Sequence, residues 1–106
     1  ISVVTGPDGE RRVGPAYDLP STVPYGDRSL ALPLAGKLKG LSRARLLRFA
    51  AAIGLPEKAA GRMLDATLSA TAGVVDDLLA GALPFDGTTI KSMISELRFR
   101  RRQLTA

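Results

Sequence analysis

In Val13-Gly14-Pro15-Ala16-Tyr17-Asp18-Leu19-Pro20-Ser21-Thr22, a β-branched strand end runs into a loop that carries one carboxylate between prolines. Upstream, Ile1-Ser2-Val3-Val4-Thr5 is a β-branched run closed by Gly6-Pro7-Asp8-Gly9. Each residue of that turn has a reason to be there: Pro7 presets φ, Asp8 can accept from the backbone ahead, and Gly9 tolerates positive φ. Glu10 to Val13 then reads as the returning strand, so the chain opens as a β-hairpin that delivers Asp18 into a loop hemmed by Pro15, Pro20 and Pro24. Aspartate is poor in strands and common in turns. On residue grounds Asp18 is therefore a turn carboxylate bonding its own backbone, unless a ligand claims it.

Working outward, residues 20–28 are rich in Pro, Ser, Gly and charge and read as an ordered loop. Ser29 to Leu34 places Leu30, Leu32 and Leu34 at period two, a half-buried strand that Pro33 marks as an edge or an end. Ala35-Gly36-Lys37 turns it into a short return through Leu38, a second small hairpin whose Lys37 and Lys39 read as solvated. Helices follow. Ser42 is an N-cap for a helix whose Leu46, Leu47, Phe49, Ala50 and Ile53 share one face, and Gly54 is a natural C′ residue. Pro56 and Glu57 start the next helix in its first turn, with Ala60, Met63, Leu64, Leu68, Val75, Leu78 and Leu79 inward. Gly73 predicts a kink or break, and Gly81 ends the run. Thr88 or Thr89 caps a last helix facing inward with Ile90, Met93, Ile94, Leu97 and Leu104.

The expected fold class is α+β: an N-terminal β-hairpin and a small second hairpin over 1–40, then a bundle of three or four helices over 41–106. A chain of 106 residues suits one domain. It is 45% hydrophobic but only 5% aromatic, so Leu, Ala, Val and Ile must build the core and stability should be moderate. There is no Cys and no His. Disulfides, the usual zinc sites and histidine general-base chemistry are closed, leaving carboxylates as the metal and acid–base groups. No apolar run reaches the roughly 18–20 residues of a membrane span, and the start has no basic region followed by an apolar one. The reading is a soluble cytoplasmic protein with no membrane partner.

A resemblance sharpens the account of Asp18. Pro15-Ala16-Tyr17-Asp18-Leu19 with Ser21-Thr22 resembles the proline–small–tyrosine–aspartate–leucine stretch of the HipA-like serine/threonine kinases, the toxin-antitoxin type. Leu30-Ala31-Leu32, Gly36-Lys37, Leu41-Ser42-Arg43-Ala44 and Ile53-Gly54-Leu55 follow in the order of that family's C-terminal part. The likeness covers about the first sixty residues and fades in the later helices. It implies the distal part of a kinase-like C-lobe with Asp18 as the Mg²⁺ ligand, at the place where ordinary kinases carry the DFG aspartate. Tyr17 and Leu19 flank it in the HipA manner rather than the DFG one. Mg²⁺ and ATP are then the cofactors of the complete parent protein.

In the family the aspartate base and the metal-binding asparagine lie just upstream of the first strand. The chain starts at Ile1, so the resemblance implies a C-terminal segment with no catalytic residue and no nucleotide-binding residue that can be assigned, inactive and without cofactor in isolation. Its partners would be the rest of the kinase, meaning the N-terminal lobe and the catalytic loop, together with an antitoxin protein.

Net charge is +5 with a pI near 10.2, which admits nonspecific DNA as a further partner. The alternative function is a small basic helical module that binds DNA or protein without catalysis. Arg43, Arg45 and Arg48 on one helix, with Gly54 before the next, have helix-turn-helix length, but the second helix would offer the mixed face Glu57, Lys58, Gly61, Arg62 and Asp65. Arg98-Phe99-Arg100-Arg101-Arg102 is the densest charge. It complements a helix C-terminus and could otherwise meet a polyanion, with Phe99 to stack. Asp76-Asp77 is too isolated a pair for a metal, and Asp65 reads as a solvated helix-face residue.

Overall fold

A computed structural model describes residues 2–16, 21–30 and 32–105. Two short strands, β1 (Val3–Thr5) and β2 (Arg11–Val13), form an antiparallel hairpin in the register Val3↔Val13, Val4↔Arg12, Thr5↔Arg11. The turn works as its residues require. Gly9 sits at φ 79°, the Gly6 N–H donates to the Glu10 carbonyl at 2.8 Å, and the Glu10 N–H donates to Asp8 Oδ1 at 3.0 Å. A 3-10 turn (Val23–Tyr25) follows, and then four helices: α1 (Arg43–Ala52), α2 (Glu57–Ala70), α3 (Val74–Leu79) and α4 (Gly87–Thr105). The chain is α+β, a two-stranded hairpin followed by helices.

The second hairpin is smaller than expected. Leu34-Ala35-Gly36-Lys37 is a tight reversal with φ positive at both central residues, Ala35 at 48° and Gly36 at 77°, as a two-residue primed turn demands. Among the described residues a single bridge, Leu34↔Lys37, and a bond from the Leu30 N–H to the Leu38 carbonyl tie its arms. No regular strand forms over the described part of Ser29–Leu34. The period-two leucines lack a common buried face, Leu32 being 80% exposed.

Helix boundaries follow the local chemistry closely. Ser42 caps α1 by accepting from the Arg45 N–H. Gly54, at φ 80°, donates to the Ala51 carbonyl while Leu55 donates to Ala50. This pair of bonds is a Schellman ending, and Gly81 with Ala82 repeats it on the carbonyls of Leu78 and Asp77 at the end of α3. The break foreseen at Gly73 is real, α2 stopping at Ala70 and α3 starting at Val74. Two details differ from the sequence reading. Pro56 is the N-cap residue of α2 rather than its first helical residue, with ψ 138°. Asp86, not Thr88 or Thr89, caps α4: its Oδ1 accepts from the Thr89 N–H at 2.7 Å. Asp–x–x–Thr places the shorter, charged acceptor one position before the helix, where it meets an orphan N–H.

Helix α4 is the spine. It packs against α1, α2, α3 and the 3-10 turn, and α1 packs on α2. Among the described residues Ala50, Ala60, Leu78 and Ile94 are the buried apolar ones, two of the four being alanines. Phe49, Ile53, Met63 and Leu79, expected inward, are 40–65% exposed because no described element covers their side. The hairpin buries still less. All six strand residues are exposed, and no described helix packs on β1 or β2. The chain exposes 8029 Å², where a compact 11.1 kDa monomer would expose about 5,700 Å². No described helix is long and apolar enough to cross a membrane.

Candidate functional site

Asp18, the residue the sequence singles out for Mg²⁺, lies outside the described residues together with Tyr17, Leu19 and Pro20. Its setting is described on both sides. Before it, β2 ends at Val13, and the Gly14 N–H donates to the Ser2 carbonyl at 2.7 Å. After it, Thr22 and Asp27 close the 3-10 turn: the Asp27 N–H donates to the Thr22 carbonyl, and the Thr22 hydroxyl donates back to the Asp27 carbonyl at 2.9 Å.

Asp27 itself is engaged. Its Oδ1 accepts from the Ser29 hydroxyl at 2.7 Å and the Ser29 N–H at 2.9 Å. Those two bonds, the hydroxyl first, hold its carboxyl below the usual aspartate range against a small desolvation, with Lys39 adding a weaker pull. Among the described residues no three acidic side chains gather at one point. Asp8 serves its own turn, and Asp76 and Asp77 sit exposed in the first turn of α3.

The loop beyond Asp18 is anchored on α4 by charge. Arg28 Nη2 donates to the Ser92 hydroxyl at 2.6 Å, and the Arg28 carbonyl accepts from Arg100 Nη2 at 2.6 Å. Glu96 joins the two arginines, 2.8 Å from Arg100 Nε and 3.8 Å from Arg28 Nε. Tyr25 adds an edge-to-face contact with Phe85, ring centroids 6.2 Å apart. A shallow polar cleft of about 430 Å³ lies between this loop and the start of α4, lined in part by Asp27, Arg28, Ser29, Lys39, Thr89 and Ser92. Its walls carry both signs of charge. A second groove, of about 350 Å³, is almost wholly apolar and is lined in part by Leu64, Leu68, Val74, Leu97 and Leu104.

The arginines read from the sequence as surface charge divide into two groups. Arg43 is clamped between helices: Nη1 donates to Asp65 at 2.8 Å and to the Leu104 carbonyl at 3.2 Å, while Nη2 reaches the Gly61 carbonyl at 3.4 Å. The bond to Asp65 raises the guanidinium pKa and lowers that of the carboxylate. The two partners differ in exposure, 20% for the Arg43 side chain and 65% for Asp65. The contact therefore acts more as an anchor for Arg43 than as a source of stability. Asp65 is thus an ion-pair partner and not simply a solvated face residue.

In the basic run, Arg101 donates at 2.8 Å to both the Thr71 hydroxyl and the Leu68 carbonyl. Arg100 is held by Glu96 and the Arg28 carbonyl. Arg98 and Arg102 remain exposed. The helix-turn-helix reading loses Arg43 as a phosphate contact, and the polyanion reading loses the middle of its run. Sequence reasoning missed Arg28, Glu96 and Asp27. The signals were present: Asp27–x–Ser29 is a side-chain-to-backbone turn pattern, and Glu96–Arg100 is an i,i+4 pair.

Comparison with protein-family models, with curated proteins and with solved structures returns no match for this chain.

Proposed function

We propose that the chain is the C-terminal portion of a HipA-like serine/threonine kinase, supplying Asp18 as a Mg²⁺ ligand and a helical scaffold to a kinase-like C-lobe. One observation carries the reading: the order of a β-hairpin ending at Val13, the Pro15–Leu19 stretch, a tight reversal at Ala35-Gly36 and a Ser42-capped helix. Two further facts support it. The excess of about 2,300 Å² over a compact monomer is what a chain built to lie against more polypeptide would expose. Asp27, the next carboxylate, uses its Oδ1 on Ser29, which is consistent with Asp18, the residue the resemblance points to, as the metal ligand.

A hard carboxylate oxygen suits Mg²⁺, which takes one or two such ligands and completes its shell with water and nucleotide phosphates. When bound, the ion neutralises charge that develops on the phosphates during transfer. This chain's own part is to fix one anionic oxygen there, with the loop after it tied to α4 through Arg28 and Arg100. The N-terminal lobe, the catalytic loop and an antitoxin are the partners that this function requires, and ATP is its nucleotide.

The test is Asp18→Asn in the complete parent protein. The amide keeps size and turn bonding but removes the charge. Folding and melting temperature should stay near wild type while phosphoryl transfer falls by about a hundredfold or more. A rate within about threefold of wild type, under roughly 1 kcal/mol of barrier, would reduce Asp18 to a turn residue. The alternative of a basic DNA-binding module is weakened by the internal engagement of Arg43, Arg100 and Arg101.

A further inference from the structure

Among the described residues nothing covers the outer edge of β1, and that edge has a self-complementary pattern. The Gly14 N–H bonds the Ser2 carbonyl and the Gly6 N–H bonds the Glu10 carbonyl. Given the register of the hairpin, antiparallel alternation makes Val4↔Arg12 a hydrogen-bonded pair and leaves Val3 and Thr5 in non-bonded pairs. The N–H and C=O groups of Val3 and Thr5 therefore point away from β2. We propose that β1 is a self-association edge. Two copies of the chain pair their β1 strands antiparallel about a twofold axis at Val4, making a four-stranded sheet in the order β2-β1-β1-β2.

The geometry closes on itself. With Val4 opposite Val4 of the partner subunit, Val3 lies opposite Thr5 of the partner subunit, and the outward groups of both residues are used on both chains. The dyad falls at a non-bonded pair, where side chains approach most closely, and Val4 is 47% exposed in the single chain. On the other sheet face Val3 and Val13, 65% and 74% exposed, pair within the chain, and Val3 meets Thr5 of the partner subunit across the seam.

Charge selects this edge over the other. β1 carries none, whereas β2 presents Arg11 and Arg12. Self-pairing along β2 would set arginines against arginines, which is unfavourable, and charged side chains are how natural edges are kept unpaired. Arg12 is in any case tied to Glu10 at 2.8 Å. A two-stranded hairpin is marginal alone and gains stability as the sheet widens, and nothing else described covers this one. The proposal rests on β1 alone and is independent of the kinase reading. An edge of three residues makes a small contact, in the weak and transient class.

The test is sedimentation analysis of the 106-residue chain from about 10 μM to about 1 mM, the range of weak association. The weight-average mass should climb from 11.1 kDa toward twice that value. Val3→Pro removes an outward N–H that the hairpin does not use, a position where edge strands accept proline. Val4→Lys leaves the backbone ladder intact and sets two like charges across the dyad. Each should weaken association at least tenfold, with unchanged far-UV circular dichroism for Val4→Lys. A mass that stays monomeric throughout would assign the edge to another polypeptide and overturn the proposal. So would a dimer that both variants leave intact but Ile53→Lys dissolves.

Discussion

Arg101 should be one of the larger single contributors to the stability of the helical part, although it sits in the middle of what reads as a surface charge run. α2 ends at Ala70. Thr71 donates its N–H to Thr67 and Ala72 donates to Ser69, so the Leu68 carbonyl lacks its usual backbone donor and has only a long contact from the Thr71 hydroxyl at 3.4 Å. Arg101 Nη2 fills that vacancy at 2.8 Å from α4, while Nη1 holds the Thr71 hydroxyl at 2.8 Å. Hydrogen bonds from a charged donor are worth about 1.5–3 kcal/mol each in mutational series. Two on one partly exposed side chain that must be ordered for both come to about 2–3 kcal/mol.

Arg101→Met keeps the aliphatic stem and removes both bonds. The expected loss is that 2–3 kcal/mol, or roughly 10–20 °C in melting temperature for a domain of this size. Urea titration followed by far-UV circular dichroism measures it. Arg102→Met, one residue on and exposed, should change stability by less than about 0.5 kcal/mol. Arg101→Lys should recover part of the loss, since a point ammonium can meet one acceptor but not span both. If Arg101→Met stays within about 0.5 kcal/mol of wild type, or Arg102→Met costs as much, the run is generic helix-end charge.

Two further outcomes follow from backbone and titration. Gly54 and Gly9 both lie near φ 80° with open space around a built Cβ, so alanine at either adds about 1–2 kcal/mol of left-handed strain. Gly54→Ala should lower the helical unfolding midpoint, whereas Gly9→Ala should leave it unchanged, because the hairpin is not packed on the helices; equal effects would show that the two parts unfold as one. Asp86 is held below the ordinary aspartate value of 3.8 by the Thr89 N–H and hydroxyl. Its contribution is therefore fully present above that value and lost as pH falls through the lower folded pKa. Asp86→Asn still caps but does not titrate, so its stability should fall less steeply below about pH 4, and an acid profile identical to wild type would count against the cap.

What was legible in the sequence was local. Gly9, Gly54 and Gly81 take positive φ and Ser42 supplies a capping oxygen, each as its type dictates, whereas the break at Gly73 falls where expected but with ordinary right-handed backbone, φ −87°. Asp86 was passed over for Thr88 and Thr89 because all three can cap, and choosing among them requires knowing where the helix begins. The period-two leucines of 30–34 misled because alternation marks a strand only if a partner strand or a core takes one face, and neither is present among the described residues. The same cause exposed Phe49, Ile53, Met63 and Leu79. Helical spacing puts each on or at the end of a helix that also carries a buried residue (Ala50, Ala60 or Leu78), but burial needs a neighbour on that side. The arginine clamps were illegible for a different reason. Arg43 meets Leu104, and Arg101 meets Leu68, across sequence separations of 61 and 33 residues, and charge composition is blind to such pairings.

The arginines and the scarcity of large buried residues belong to one arrangement. With Ala50, Ala60, Leu78 and Ile94 as the buried apolar residues among those described, apolar burial alone supplies modest attachment of α4 to its neighbours. Arg43, Arg100 and Arg101 add it by reaching from one element to carbonyls on another. A guanidinium can do this because its planar fork offers several donors and tolerates partial desolvation better than an ammonium. Carbonyl acceptors carry no net charge, so these bonds are less sensitive to salt than ion pairs would be. They also tie elements together: Arg43 joins α1 to α2 and α4, Arg101 joins α4 to α2, and Arg100 joins α4 to the loop at Arg28. Arg100 is the consequential case. By holding the Arg28 carbonyl and Glu96 together, it ties the spine of the helical part to the loop over residues 21–30.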